Sequence, residues 1–119
     1  MTPGRRSIAV ARGDVVLVPF PYAELTATKA RPAVVVSGRQ FLSAEGKVVV
    51  AAVTSNVKAH VGPTNLPLTE WRGCGLLKPS VVTSWLATLD PKLALMRIGA
   101  LNGGQLRALD SCLRATLQL

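Results

Sequence analysis

Between Asp14 and Ile98 the apolar residues of this chain come in short runs, each interrupted by Pro, Gly, Asn or Asp, a punctuation that permits strands and leaves no room for a long helix. The runs are Asp14–Phe20, Pro32–Ser37, Lys47–Thr54, Asn65–Thr69, Ser80–Leu86 and Leu93–Ile98. The third is apolar at nearly every position, as expected of a strand buried on both faces. Pro67 lacks an N–H to give to a ladder and assigns the fourth run to a sheet edge, whereas Pro32 is acceptable where a strand begins. Asp90-Pro91 breaks the last two runs apart, and Gly38 to Gly46 is a connection in which Phe41 and Leu42 suggest one helical turn. After Leu101 the period changes. Leu106, Leu109, Leu113 and Leu117 recur three and four residues apart with Cys112 and Thr116 beside them, which is one stripe of an α-helix. Asn102 with Gln105 three residues on predicts a capped start, with Gly103 and Gly104 weakening only the first turn. Strands followed by one helix give an antiparallel α+β or small-barrel domain.

A chain of 119 residues is one domain. At that size roughly two-thirds of the unfolded surface is buried, enough for a core without staples. Apolar residues make up 49% and aromatic residues 4%, so the core is expected to be Val, Leu and Ala. Met1 to Arg12 reads as a loose arm before a single domain over 13–119. Cys74 and Cys112 lie far apart without a CxxC, and are expected to be reduced, buried small hydrophobes rather than a disulfide frame or zinc ligands. Arg5 and Arg6 precede only Ile8 to Val10 and Ala11, too short for a signal-peptide core, and no segment is long enough to span a membrane; the expected location is cytoplasmic.

The 14 Lys and Arg against 6 Asp and Glu give a net charge of +8. A polyanion or an acidic protein is the partner such a balance favours. The catalytic inventory is narrow. His60 is the one histidine, so an acid–base pair of imidazoles within the chain is excluded. Six scattered carboxylates offer no close pair and no cluster of hard oxygen ligands, and no metal or other cofactor is expected. What stands at the ends of the apolar runs is Arg, Lys, Thr, Ser and Asn. Such groups bind phosphate and stabilise charge on it. For RNA little more is required, because the substrate's own 2′-hydroxyl is the nucleophile; DNA, lacking it, would be bound without being cut.

Arg12-Gly13-Asp14 entering the first strand, Arg31-Pro32 opening the second and Ala52-Val53-Thr54-Ser55 closing the third form an ordered pattern. It continues in Gly75-Leu76-Leu77-Lys78-Pro79-Ser80-Val81-Val82, in Ala87-Thr88-Leu89-Asp90 and in Arg97-Ile98-Gly99-Ala100-Leu101. From Arg12 to Leu119 the chain resembles the MazF/PemK-like toxins of bacterial type II toxin–antitoxin systems. The resemblance implies an SH3-like barrel of antiparallel strands with a C-terminal helix, the CcdB/PemK/MazF-like fold, assembled as a homodimer. It also implies growth arrest through metal-independent, sequence-specific cleavage of single-stranded RNA by transesterification of the 2′-hydroxyl. The implied inhibitor is a cognate acidic antitoxin whose disordered tail folds along the basic groove, with operator DNA contacted only through the toxin–antitoxin complex.

Carried over residue by residue, the resemblance makes Arg31 and Thr54 catalytic. A guanidinium grips two phosphate oxygens and neutralises growing charge but is a poor proton acceptor, so Arg31 is assigned to charge stabilisation and to proton donation to the leaving oxygen. Thr54 donates a hydrogen bond to the same phosphate, with Ser55 a weaker candidate. Lys29, Lys78 and Lys58 are candidates to guide the RNA backbone, Asn56 to read a base edge and Trp85 to stack on a base, although Trp85 as a core residue fits the sequence equally well. His60 reads as a bystander. Thr83-Ser84-Trp85-Leu86 departs from the family, where this stretch often carries an acidic residue or glutamine, so the general base has no assignment. Two other readings are a CcdB-like topoisomerase poison, against which the ending Thr116-Leu117-Gln118-Leu119 argues, and an inactive SH3-like nucleic-acid-binding module.

Overall fold

The computed structural model describes residues 10–19, 30–94 and 96–119. In chain order the elements are β1 (Asp14–Val18), β2 (Arg31–Val35), α1 (Arg39–Glu45), β3 (Val48–Thr54), β4 (Leu66–Leu68), β5 (Ser80–Leu89), β6 (Met96–Ala100) and α2 (Gly103–Leu117). Short 3₁₀ turns at Val57–Ala59, Trp71–Cys74 and Pro91–Leu93 join them. The six strands form one antiparallel sheet in the order β4-β5-β3-β2-β1-β6. The run around Pro67 is the edge strand and the most apolar run is interior, as the sequence predicts. Pro32 is the second residue of β2 rather than its first, and it is tolerated because the ladder to β3 begins one residue later, at Ala33. β5 is longer than its apolar run suggests and continues to Leu89; the single helical turn expected near Phe41 is a helix of seven residues.

The sheet has two apolar faces. One carries Val15, Val34, Ala51, Val53 and Val82 and is covered by Leu109 and Cys112 of α2, with Leu106 and Leu113 packed at its margin. The other carries Val16, Val18, Ala33, Val35, Val48 and Val50, with Leu42 of α1 and Ala94 against it. The stripe of α2 is as expected from its spacing, except that Leu117 at its end is half exposed. Its start is a complete capping box: Asn102 Oδ1 accepts from the Gln105 amide at 2.8 Å, and Gln105 Oε1 accepts from the Asn102 amide at 2.9 Å. Among the described residues no helix is long and apolar enough to cross a membrane.

The start of β1 is tied down by the side chains on either side of Gly13. Arg12 Nε donates to the Val36 carbonyl at 2.9 Å, and its guanidinium pairs with Asp110 of α2. Buried Asp14 accepts from the Ala11 amide at 2.8 Å and pairs with Arg97 of β6 at 3.0 Å. At the opposite side of the sheet, the turn Trp71–Cys74 follows β4 and packs on β6, linking the two edges into a barrel. The crossing is made by two glycines. A Cβ on Gly75, which has φ +84°, would lie 1.9 Å from the Ile98 carbonyl oxygen, and one on Gly99 would lie 2.0 Å from that of Cys74. Only backbone fits there.

Two outcomes follow from this packing. Gly75→Ala combines a left-handed backbone with a collision against main chain and should lower stability by about 3 kcal/mol or more in urea unfolding, with Gly99→Ala losing a similar amount through the collision alone. Cys74 and Cys112 are both reduced and buried. Burial raises both thiol pKa values; at Cys74 a hydrogen bond to Gln105 lowers it and the charge of Glu70 raises it to smaller extents. Thiolate is therefore scarce in the native protein, and both cysteines should resist a thiol reagent at mildly alkaline pH and react rapidly once denaturant is added.

Candidate active site

Arg31 begins β2 and Thr54 ends β3. Their relation follows from the register, in which Ala33 opposes Ala52, Val34 opposes Ala51 and Val35 opposes Val50. Val18 of β1 pairs with Arg31 on the other side, and the ladder to β3 ends two residues short of Arg31 and Thr54, which leaves both at the same end of that strand pair. Both line one cavity of about 490 Å³. Its walls are apolar, from Leu17, Pro32, Val53, Leu76 and Ile98, and Ser55, Lys78 and Ser80 add polar groups. Gly75 is also part of the wall, so the glycine crossing that closes the barrel shapes the cleft as well.

Thr54 Oγ1 accepts a hydrogen bond from the Asn56 amide at 3.1 Å, a side-chain-to-backbone turn that ends β3. A hydroxyl has one proton and two lone pairs, so the proton of Thr54 stays available to donate outward. Arg31 and Lys78 bring two cations to the lining, and among the described residues no carboxylate or imidazole lines the cavity. Ser80 Oγ donates to the Lys78 carbonyl at 2.8 Å, which fixes the backbone from which Lys78 extends. A cleft with apolar walls, two solvent-exposed cations and a hydroxyl donor presents the groups that bind an anion. Among the described residues no three His, Cys, Asp or Glu side chains gather in a metal-binding group.

Of the residues singled out from sequence, Arg31, Thr54, Ser55 and Lys78 come together here. Asn56 contributes its amide to Thr54 and is not part of the cavity lining. Lys29 lies outside the described residues. Trp85 is not in this cleft, and at 52% exposure it is not a core residue either. It stands on β5 against the ring of His60, at 5.3 Å between centroids and an interplanar angle of 79°. His60, read from sequence as a bystander, thus has an aromatic partner. Sequence reasoning also passed over the apolar walls, since Leu17 and Val53 look like ordinary strand residues until the barrel brings them to one end. Leu77, the most exposed large hydrophobic among the described residues, sits beside Lys78 at the cavity.

Comparison with known proteins decides the family. A profile for the PemK-like, MazF-like toxins of type II toxin–antitoxin systems matches residues 11–117. The chain belongs to this family. No curated protein sequence matches it. Among solved structures, the chain is similar to the MazF-mt6 toxin of Mycobacterium tuberculosis, with 23% identity, 89% of this chain and 97% of that chain covered, and a TM-score of 0.72. It is similar to MazF of Deinococcus radiodurans at 21% identity, covering 94% and 99%, with a TM-score of 0.72. An endoribonuclease from a mycobacterial species, solved with its cognate antitoxin, gives 19% identity, 93% and 97% coverage and a TM-score of 0.72. At these identities the structural likeness is one of fold, and the six antiparallel strands with a C-terminal helix are the MazF arrangement.

Proposed function

We propose that this MazF-like toxin is an endoribonuclease that cuts single-stranded RNA in the cleft between Arg31 and Thr54, without a metal. The observation that supports the reading is the shared cavity, lined by Arg31 from the start of β2 and by Thr54 from the end of β3. In the reaction the 2′-oxygen attacks its own phosphorus. The bond from 2′-oxygen to phosphorus forms, the bond from phosphorus to the 5′-oxygen breaks, and the products are a 2′,3′-cyclic phosphate and a 5′-hydroxyl. Arg31 holds the non-bridging oxygens, stabilises the charge that accumulates on them and donates a proton to the departing 5′-oxygen. Thr54 donates its free proton to the same phosphate, and Ser55 and Lys78 hold the adjoining backbone. The proton of the 2′-hydroxyl passes to solvent water, which also returns the proton that Arg31 gives up, because the described lining holds no carboxylate or imidazole to take it.

Sequence-specific cutting requires more contacts than one cleft makes, and a homodimer would supply them across a shared groove. Leu77, exposed beside Lys78, fits a surface covered in such an assembly. The relatives solved with antitoxin support an antitoxin as the second partner, and the net charge of +8 favours one that presents acidic groups.

Purified protein incubated with a long unstructured RNA in EDTA should produce new 5′-hydroxyl ends at a recurring short sequence. Arg31→Ala should lower the rate about 100- to 1,000-fold with little change in thermal stability, because its side chain is exposed and its loss removes transition-state charge stabilisation. Thr54→Ala should lose about tenfold or more, and Thr54→Ser should recover much of it. RNA left intact by the wild-type protein, or cut equally well by Arg31→Ala, would rule the reading out.

A further inference from the structure

The ladder between β3 and β5 is interrupted beside the cleft. Val53 opposes Val82 and Ala51 opposes Leu86, so a single residue of β3, Ala52, faces three of β5, Thr83, Ser84 and Trp85. A bulge of this kind bends its strand and re-aims a side chain. Here two of its main-chain groups are bonded by one hydroxyl. Thr83, buried, donates to the Ala52 carbonyl at 2.8 Å and accepts from the Trp85 amide at 3.2 Å. Ser84 donates to the Thr64 carbonyl at 2.7 Å, which pins the loop before β4 to the same bulge, and within that loop Asn65 Nδ2 donates to the Val61 carbonyl at 2.9 Å. His60 belongs to this loop and lies edge-to-face with Trp85. An indole with half its surface in solvent is therefore held from its own backbone and from a neighbouring ring.

We propose that Trp85 and His60 form a base-stacking clamp for the nucleotide that flanks the scissile phosphate, with Trp85 supplying the π-face and His60 acting as a positioning residue that sets the angle of the indole. The inference rests on the ribonuclease reading of Arg31 and Thr54. Ala52, where the bulge sits, is two residues from Thr54 along β3, about 7 Å, which is the reach of one nucleotide. The T-shaped contact with His60 restricts the indole, so a base stacking on it meets a surface already oriented. Exposed Lys58, two residues before His60, adds a cation to the approach. Stacking accepts any base but favours the larger π-systems, so the clamp gives affinity together with a preference for a purine at one position.

The test uses the full chain, the RNA sequence mapped as its cut site, and the same sequence with a 2′-deoxy residue at the cut, which can be bound but not cleaved. Trp85→Leu, which keeps apolar bulk without a π-face, should weaken binding of the uncleavable strand between about five- and a hundredfold and erase the purine preference in the mapped ends. Trp85→Phe should recover most of that loss. His60→Ala should weaken binding about threefold and have no added effect in the Trp85→Leu background, as expected of a residue that acts through the indole. Circular dichroism and urea midpoints establish that each variant is folded, and Thr83→Ser keeps the hydroxyl of the bulge as a control. If Trp85→Leu binds and cuts as the wild type does, with the same base preference, the clamp is overturned while an effect of Arg31→Ala leaves the ribonuclease reading in place. If the wild type cuts no RNA, the ribonuclease reading falls and the clamp falls with it. Binding that is absent, or indifferent to Trp85, overturns the clamp in either case.

Discussion

β3 is gripped on both sides, and its register organises the rest of the molecule. Val48 and Val50 lie in one apolar cluster while Ala51 and Val53 lie in the other. Because side chains alternate between faces, a slip of one residue would send every member of each set into the opposite cluster. Both clusters are filled by neighbouring strands and by helices, so neither can take the exchanged set without voids or collisions. Once β3 is held in place, its last residue comes to the cavity that the first residue of β2 also lines, and its one unpaired step falls opposite the middle of β5. The cleft and the display of Trp85 are two consequences of the same packing.

The chemistry available to such a site is modest, and its economy suits the substrate. A phosphodiester of RNA carries its own nucleophile, so the protein has to hold the phosphate, stabilise the charge that develops on it and protonate what leaves. Arg31 and a hydroxyl with one uncommitted proton can do these things if they are fixed before the substrate arrives. The structure fixes them with backbone: a strand pairing for Arg31, a side-chain turn onto the Asn56 amide for Thr54, and a glycine crossing that sets the far wall. The positive charge of the chain supplies attraction from a distance.

Much of this was legible along the chain. The run around Pro67 could only be an edge, and the uninterrupted apolar run ending in Thr54 could only be interior. Asn102 and Gln105 announced the start of the helix, and the leucine spacing announced its buried face. Arg31 and Thr54 could be selected only through their resemblance to a family pattern, since an arginine before a proline and a threonine at a strand end are ordinary by themselves. The bulge was hidden altogether. Thr83 reads as one more β-branched strand residue, and nothing local distinguishes a hydroxyl that replaces ladder bonds from one that faces water. The sequence left Trp85 equally suited to the core and to the surface; that choice depends on which way the strand bends.

The order of residues thus determined what could form: short strands, one capped helix, a reduced apolar core and a cationic surface short of acids and bases. Those properties follow from local sterics, periodicity and charge, which act between near neighbours. Which groups meet was decided by tertiary structure alone. Arg31 and Thr54 come to one cavity, the Gly75 and Gly99 backbones cross, and His60 finds Trp85 across long stretches of chain. Such pairings depend on sheet register and barrel closure, and those emerge only when all the strands and the helix pack at once.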